Sequence, residues 1–403
     1  MTVLNILLKM KKLSSLIDTS INSFINAVLA IAIINLFGEV DYGEYVIYFA
    51  TYTLVLSIVN AIISNQLLVF ISKEIGFSDY TTEYSLLLLG IVVLCILSFS
   101  SGIVLSFFFQ KNNILILSFF FFSLTFKEII RSWCYLLGKH FFSNCLHFLL
   151  LLVLSVIYAA LYFSSIDIVL DYLLICISIS YLALSVIISL IVIFSEKRII
   201  LLDIDILSRS WKVSKWSLFS GTTTWGQNNL FTYIATAYYG VVGAATLAST
   251  RLLMMPINLL SSGIYSGMKP QWSREIKLSR ANVKKNIYSI GFAISFVSIL
   301  YGVIIYIYWD IICKYLFANK FTEHGALVLL WSTFFSIQSL RVAVTNILQT
   351  ELLFKQISKV GIPITITCIV TMASIGWFSL PSIIVIMIIF ELLLLTILYK
   401  KVK

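Results

Sequence analysis

Two short stretches decide the fold: FGEVDYGEYV (37–46) and YGVVGAATLA (239–248). Gly240 lies about half of the 403-residue chain beyond Gly38, and both stretches read as the end of one apolar run, a tight turn and the start of the next. Further on, SKEI (72–75) falls on SREI (273–276) at the same spacing to within one residue. Repetition over half a chain is the signature of two related structural halves. The second copy keeps the turn and loses every acid of the first. Glu39, Asp41 and Glu44 are therefore read as a solvated outer hairpin tip rather than a metal or acid/base site.

The runs on either side of each turn set the class. Hydrophobic residues make up 60% of the chain and charged residues 11%, with a mean hydropathy of +1.01, which excludes an ordinary soluble domain. A bilayer core takes about 20 apolar residues per helix. Twelve such runs are read, at 15–37, 45–70, 84–108, 114–136, 141–163, 169–194, 216–239, 244–267, 286–309, 325–349, 357–378 and 382–399. They are too long and continuous for strands, so the expected fold is an all-α polytopic membrane protein. The opening MTVLNILLKMKKLSS has no small-residue cleavage site and is not read as a removable signal peptide.

A net charge of +10 would suggest nucleic acid in a soluble protein, but here it encodes orientation. With the N-terminus inside, Lys111, Lys314 and Lys320 fall on outer segments, and Lys127, Arg131, Arg251 and Arg341 fall within spans. The remainder of the 28 bases fall on inner segments, so both termini are expected in the cytoplasm. Six spans per half return the chain to its starting side, giving two parallel six-helix repeats. The expected division is an N-terminal lobe at 1–195, a basic cytoplasmic linker at 196–215 and a C-terminal lobe at 216–403. The linker is either a short amphipathic helix on the inner surface or a charged loop.

Cys95, Cys134, Cys145, Cys176, Cys313 and Cys368 show no metal-ligand spacing, and His140, His147 and His324 are scattered. No phosphate loop, nucleophile elbow or nucleotide-binding domain is present, so neither catalytic residues nor a cofactor or metal is expected.

FGEVDYGEY, its partner YGVVGAATLASTRLL, KPQWSREI and YLFANKF together resemble the multidrug/oligosaccharidyl-lipid/polysaccharide (MOP) exporter superfamily, and within it the Wzx-type O-antigen flippases. The resemblance covers all twelve spans and departs from the pattern at Ala245 and Leu247, where the first copy has Gly43 and Tyr45. It implies two lobes around a central cavity that opens alternately to each side. The implied cargo is a polyprenyl-diphosphate-linked oligosaccharide destined for lipopolysaccharide, moved outward across the bacterial inner membrane. It implies as partners the lipid-linked oligosaccharide, membrane lipids, and the polysaccharide polymerase and glycosyltransferases of the same pathway, with no nucleic acid.

Such a cargo needs polar groups for sugar and cations for diphosphate. Asn26 and Asn228 are repeat-related amides, each about 17–18 Å into its span. They either line a hydrated cavity or bond between helices. Asn22, Thr222, Thr223, Thr224, Gln227 and Asn229 add polar groups to the same two spans. Among the intramembrane bases, Lys127 and Arg131 sit near an inner end with Glu128 at hand, and Arg341 lies toward an inner end. Arg251 sits about 11 Å deep with no acid one turn away, just before Pro256. It is the leading candidate for diphosphate, and retaining its charge is expected to matter more than retaining its volume. The alternative is a buried ion pair with Glu391. Glu391 and Asp18, with His147, are the candidates for ion coupling. A MATE-like ion-coupled multidrug exporter would share the architecture. A polytopic polymerase or glycosyltransferase is the enzyme alternative, disfavoured because the longest outer loop, 310–324, is short.

Overall fold

The computed structural model of the protein describes residues 2–64, 81–111, 113–163, 169–196, 205–276, 279–351, 353–375 and 378–402. Among these the chain is helical throughout, with no strand, because backbone polar groups in lipid must be satisfied within their own segment. The helices are α1 (Thr2–Leu36), α2 (Glu39–Val59, continued by a π turn at Asn60–Ser64), α3 (Thr81–Phe109), α4 (Ile114–Leu136), α5 (His140–Phe163) and α6 (Leu170–Glu196). There follow α7 (Asp205–Leu252), α8 (Met255–Glu275), α9 (Arg280–Ile307), α10 (Trp309–Leu316), α11 (Ala326–Thr350), α12 (Phe354–Ile375) and α13 (Leu380–Val402). Nine helical stretches among the described residues are long and apolar enough to cross a membrane. The protein is a multi-pass membrane protein. Helix α4 is as long as its neighbours but carries Lys127, Glu128 and Arg131.

The two repeat turns are built differently. Helix α7 contains span seven and the first part of span eight of the sequence reading, joined at Gly240, whose φ of 68° and ψ of −175° are accessible only without a Cβ. The first copy makes its turn at Gly38 without a positive φ. SREI closes α8, whereas its counterpart SKEI lies outside the described residues, as do Lys73, Lys197 and Arg198. The described part of the expected linker, from residue 205 onward, is neither loop nor separate helix but the start of α7.

Two compact units are present, one of residues 1–29 and 48–225, the other of residues 30–47 and 226–403. Relative to the sequence halves, the tip of the first hairpin groups with the second unit. In the first unit α4 packs on α3 and α6, burying Leu117, Phe120, Phe121 and Leu124. In the second, α11 packs on α9 and α13. Small residues let α9 and α11 approach closely: Ser295 bonds Ser336 at 2.6 Å, and the Ser298 hydroxyl donates to the Ser332 carbonyl at 3.1 Å. The opposite side of α9 exposes Phe292, Phe296 and Leu300, as a lipid-facing surface should.

At the end that carries the loop after α10, the second unit gathers the hairpin tip. A Cβ on Gly43 would lie 2.2 Å from the carbonyl oxygen of Val241, so the two repeat turns touch backbone to backbone. Asn35 Nδ2 donates to the Leu316 carbonyl at 2.9 Å, Lys320 Nζ donates to the carbonyls of Ile34 and Phe37, and the Phe321 ring lies 6.3 Å from Tyr42. Burial lowers the pKa of Lys320, and the charges of Glu39 and Asp41 oppose that shift. Glu39 and Asp41 occupy the first turn of α2, where carboxylates complement the helix dipole. Glu44 is buried, which corrects the expectation of a wholly solvated acidic tip.

Candidate functional site

The candidate site forms where a membrane span is interrupted. After Gly240 the second segment of α7 runs through Thr246, Ser249 and Thr250, whose hydroxyls donate back to main-chain carbonyls of the preceding turn and compete with regular helix. The helix stops at Leu252. Helix α8 starts at Met255, with Pro256 in its first turn, where the missing N–H costs nothing. Two turn bonds, Met254 N to the Arg251 carbonyl at 2.9 Å and Ile257 N to the Met254 carbonyl at 3.2 Å, bridge the gap. Broken helices at membrane depth are tolerated where they are buried in protein or line a cavity, and in transporters they mark binding sites.

Arg251 sits on the last turn before the break. Its Nη1 donates to the main-chain carbonyl of Asn228 at 2.7 Å. Its guanidinium carbon lies 5.1 Å from the Phe231 ring, 5.5 Å from Trp331 and 6.0 Å from Phe335. Trp331 is held in place by its indole N–H on Thr250 Oγ1 at 3.2 Å and by an edge contact with Phe231. Three aromatic faces, one carbonyl and a helix C-terminus thus offset the positive charge where no carboxylate among the described residues does. Only one of the guanidinium's five N–H groups takes part in a hydrogen bond among the described residues. Beside it, Gln338 Nε2 reaches the side-chain oxygen of Asn228 at 3.4 Å, so Asn228 touches both Arg251 and Gln338.

The sequence alternative for Arg251, an ion pair with Glu391, is not what the structure contains. Arg341 Nε on α11 donates to Glu391 Oε1 on α13. Close by, Gln227 Nε2 donates to Thr365 Oγ1 at 2.6 Å, and a small, partly open cleft is lined by Gln227, Thr365, Cys368, Met372, Met387 and Glu391. Arg341 is therefore a paired cation.

Lys127 and Arg131 are paired as well, in the first unit. Glu128 accepts from Lys127 Nζ at 2.7 Å and from Arg131 Nη1 at 3.0 Å, while Asn22 accepts from Lys127 at 2.7 Å and donates to Glu128 at 3.2 Å. Asp18 accepts from Arg131 Nε at 2.6 Å, from Tyr135 at 2.7 Å and from Ser143 at 2.8 Å. It also meets His147 Nδ1 at 2.6 Å. Two carboxylates face two bases, so this cluster is neutral with an uncharged imidazole. An ionised Asp18 selects the tautomer in which Nδ1 carries the proton, and Nε2 is then buried without a hydrogen-bond partner among the described residues. Asn26 is half-buried one turn from Asn22. Of the intramembrane bases singled out for cargo, Arg251 is the one without a carboxylate among the described residues. Trp331, Phe335 and Gln338 escaped the sequence reading, because one buried aromatic or amide among many carries no periodic signal.

No family model and no curated protein sequence matches the chain. Its fold does match solved structures. An inward-facing multidrug resistance MATE family transporter of the MOP superfamily aligns at a TM-score of 0.66 and 12% identity, over 97% of this chain and 93% of that one. A eukaryotic MATE transporter aligns at 0.63 and 13%, over 98% and 96%. A MOP superfamily transporter from Pyrococcus furiosus, described as having a binding pocket of reversed polarity that suggests a different function, aligns at 0.62 and 12%, over 97% and 93%. The chain thus has the fold of MOP-superfamily transporters along nearly its whole length.

Proposed function

We propose that the protein is a flippase that carries a polyprenyl-diphosphate-linked oligosaccharide, an O-antigen repeat unit or a similar glycan, outward across the bacterial inner membrane by alternating access. It performs no covalent chemistry, takes no cofactor and works beside the glycosyltransferases and polymerase that make and use its cargo. Both termini lie in the cytoplasm, a reading supported by the concentration of bases on one side of the spans.

One observation carries this reading: Arg251 is an intramembrane guanidinium on an interrupted helix, with donors to spare and no carboxylate partner among the described residues. A guanidinium suits the bidentate, charge-assisted recognition of phosphate. A cationic drug would meet repulsion at the same place, although some of the fold's neighbours are multidrug transporters. The Pyrococcus furiosus neighbour supports the view that this fold does not fix the sign of its cargo.

The test is reconstitution in proteoliposomes with a fluorescent polyprenyl-diphosphate oligosaccharide and, separately, a cationic dye. Movement of the lipid-linked sugar that is lost in Arg251→Gln at equal protein amount is the expected result. Dye transport without sugar flipping would replace this reading with the multidrug one.

A further inference from the structure

We infer that Lys320 is the bolt of a releasable latch that fastens the outer tip of the first helical hairpin to the second unit, and that the working cycle requires the latch to open. The loop YLFANKF (315–321), which carries Lys320, has no role in the cargo site described above.

The fastening is a reciprocal cap. The last carbonyls of any helix lack intrahelical partners, and a cation there is favoured by the helix dipole. Helix α1 has no basic residue in its own last turn. The ammonium of Lys320, from a distant part of the sequence, supplies one and donates to Ile34 and Phe37. In return Asn35, on that same last turn, donates to the carbonyl of Leu316, which ends α10. Each helix end is thus satisfied by a side chain from the other. Tyr42 and Phe321 pack beside the pair, each nearly fully buried.

Two features make this a latch rather than a permanent weld. First, its main bonds are polar and lie at the outer end of the spans, where water can replace each of them on opening, whereas a lipid-buried contact has no such substitute. Second, the loop is held under tension. Ala318, Asn319 and Phe321 have φ of 51°, 63° and 63°, left-handed conformations that disfavour side chains bearing a Cβ and persist only where surroundings impose them. Releasing Lys320 lets the loop relax, so the strain favours opening while the caps favour closure. The hairpin is also divided: its tip, residues 30–47, belongs to the second unit, while the helices leading to and from it, up to residue 29 and from residue 48, belong to the first. A fastening at the tip therefore acts on a segment whose two stems belong elsewhere.

The experiment reads the latch without reference to cargo. In a cysteine-free background, Ile34→Cys places a thiol where the native side chain is 0% exposed, and labelling by a membrane-impermeant maleimide on intact cells measures opening. Removing two hydrogen bonds with Lys320→Met should raise the labelling rate roughly fivefold to tenfold. Lys320→Arg, which can also cap carbonyls, should leave it near the parent rate. If Lys320→Met fails to accumulate, Asn35→Ala carries the same measurement through the opposite cap. An unchanged rate in the lysine or asparagine variant would overturn the latch. The requirement for opening is tested by Tyr42→Cys with Phe321→Cys and a short bis-maleimide: linked protein should lose export activity, whatever the cargo, while the singly labelled variants keep it. Full activity after linking would remove that requirement, and failure to link would show that the two side chains do not meet. A flippase assay that fails for every variant would count against the proposed cargo and leave the labelling result standing.

Discussion

The carboxylate of Glu391 is occupied by the guanidinium of Arg341, one helix over, and is thereby withheld from Arg251. This pairing divides the intramembrane cations into two kinds. Lys127, Arg131 and Arg341 each face a carboxylate. Arg251 meets a main-chain carbonyl and three aromatic rings instead.

Arg251→Gln should abolish lipid-linked sugar flipping, by at least about 1.4 kcal/mol or tenfold in rate, with membrane abundance unchanged because no buried carboxylate is orphaned. The sequence reading ranked charge above volume at this position, but three rings surround a planar group that also donates to Asn228. A lysine ammonium cannot stack or form a fork. Arg251→Lys should therefore fall much nearer to Gln than to wild type in the proteoliposome assay. Equal flipping by wild type and Lys would show that the aromatic setting is irrelevant.

Glu391→Gln should lower membrane abundance, because it strands the Arg341 charge at a cost of about 3–5 kcal/mol. Arg341→Met combined with Glu391→Leu should recover much of the loss, since the double change removes both charges. Detergent-solubilised melting curves of the three proteins decide this. A double variant no more stable than the singles would mean that the pair is not the source.

Asp18→Asn should destabilise the first unit more than any single loss among its donors. Arg131, Tyr135 and Ser143 all donate a hydrogen bond to this carboxylate, and His147 meets it as well. A neutral amide accepts through only one of its two polar atoms, which leaves buried donors unsatisfied at about 1–3 kcal/mol each. Ser143→Ala removes one donor and should cost about 1 kcal/mol. Comparable melting temperatures for the two variants would contradict the central role of Asp18.

Reporter fusions should place Lys215 and Lys403 in the cytoplasm and Ser379 outside. An outside signal at Lys215 would break the even number of spans in the first half.

What could be read from the sequence was what depends on composition and spacing. Apolar runs gave the helices, and Gly240 was found as the partner of Gly38 because a turn needs its glycine at a fixed place. The depth of Arg251 and the nearby Pro256 pointed to the interrupted span. Partnerships across the fold were not legible. Arg341 with Glu391, and Asp18 with Arg131 and His147, join helices whose rotation is set by packing, and nothing local in any of these segments encodes that rotation. Lys320 was visible only as an outer-loop base, although it caps a helix far away in sequence. Glu44 was read as solvated because the second copy of the turn carries no acid, yet helix α2 turns it inward.

The contact of Gly43 with the Val241 carbonyl falls on a position that is glycine in one copy of the turn alone. Two identical half-chains meeting across an axis would make every such contact twice, each turn receiving the other's backbone and each needing the glycine. Here the residue matching Gly43 is Ala245, so the second copy carries a Cβ where the first has none. A version of this protein assembled from two copies of its second half would bring to that place no turn able to admit the other's backbone.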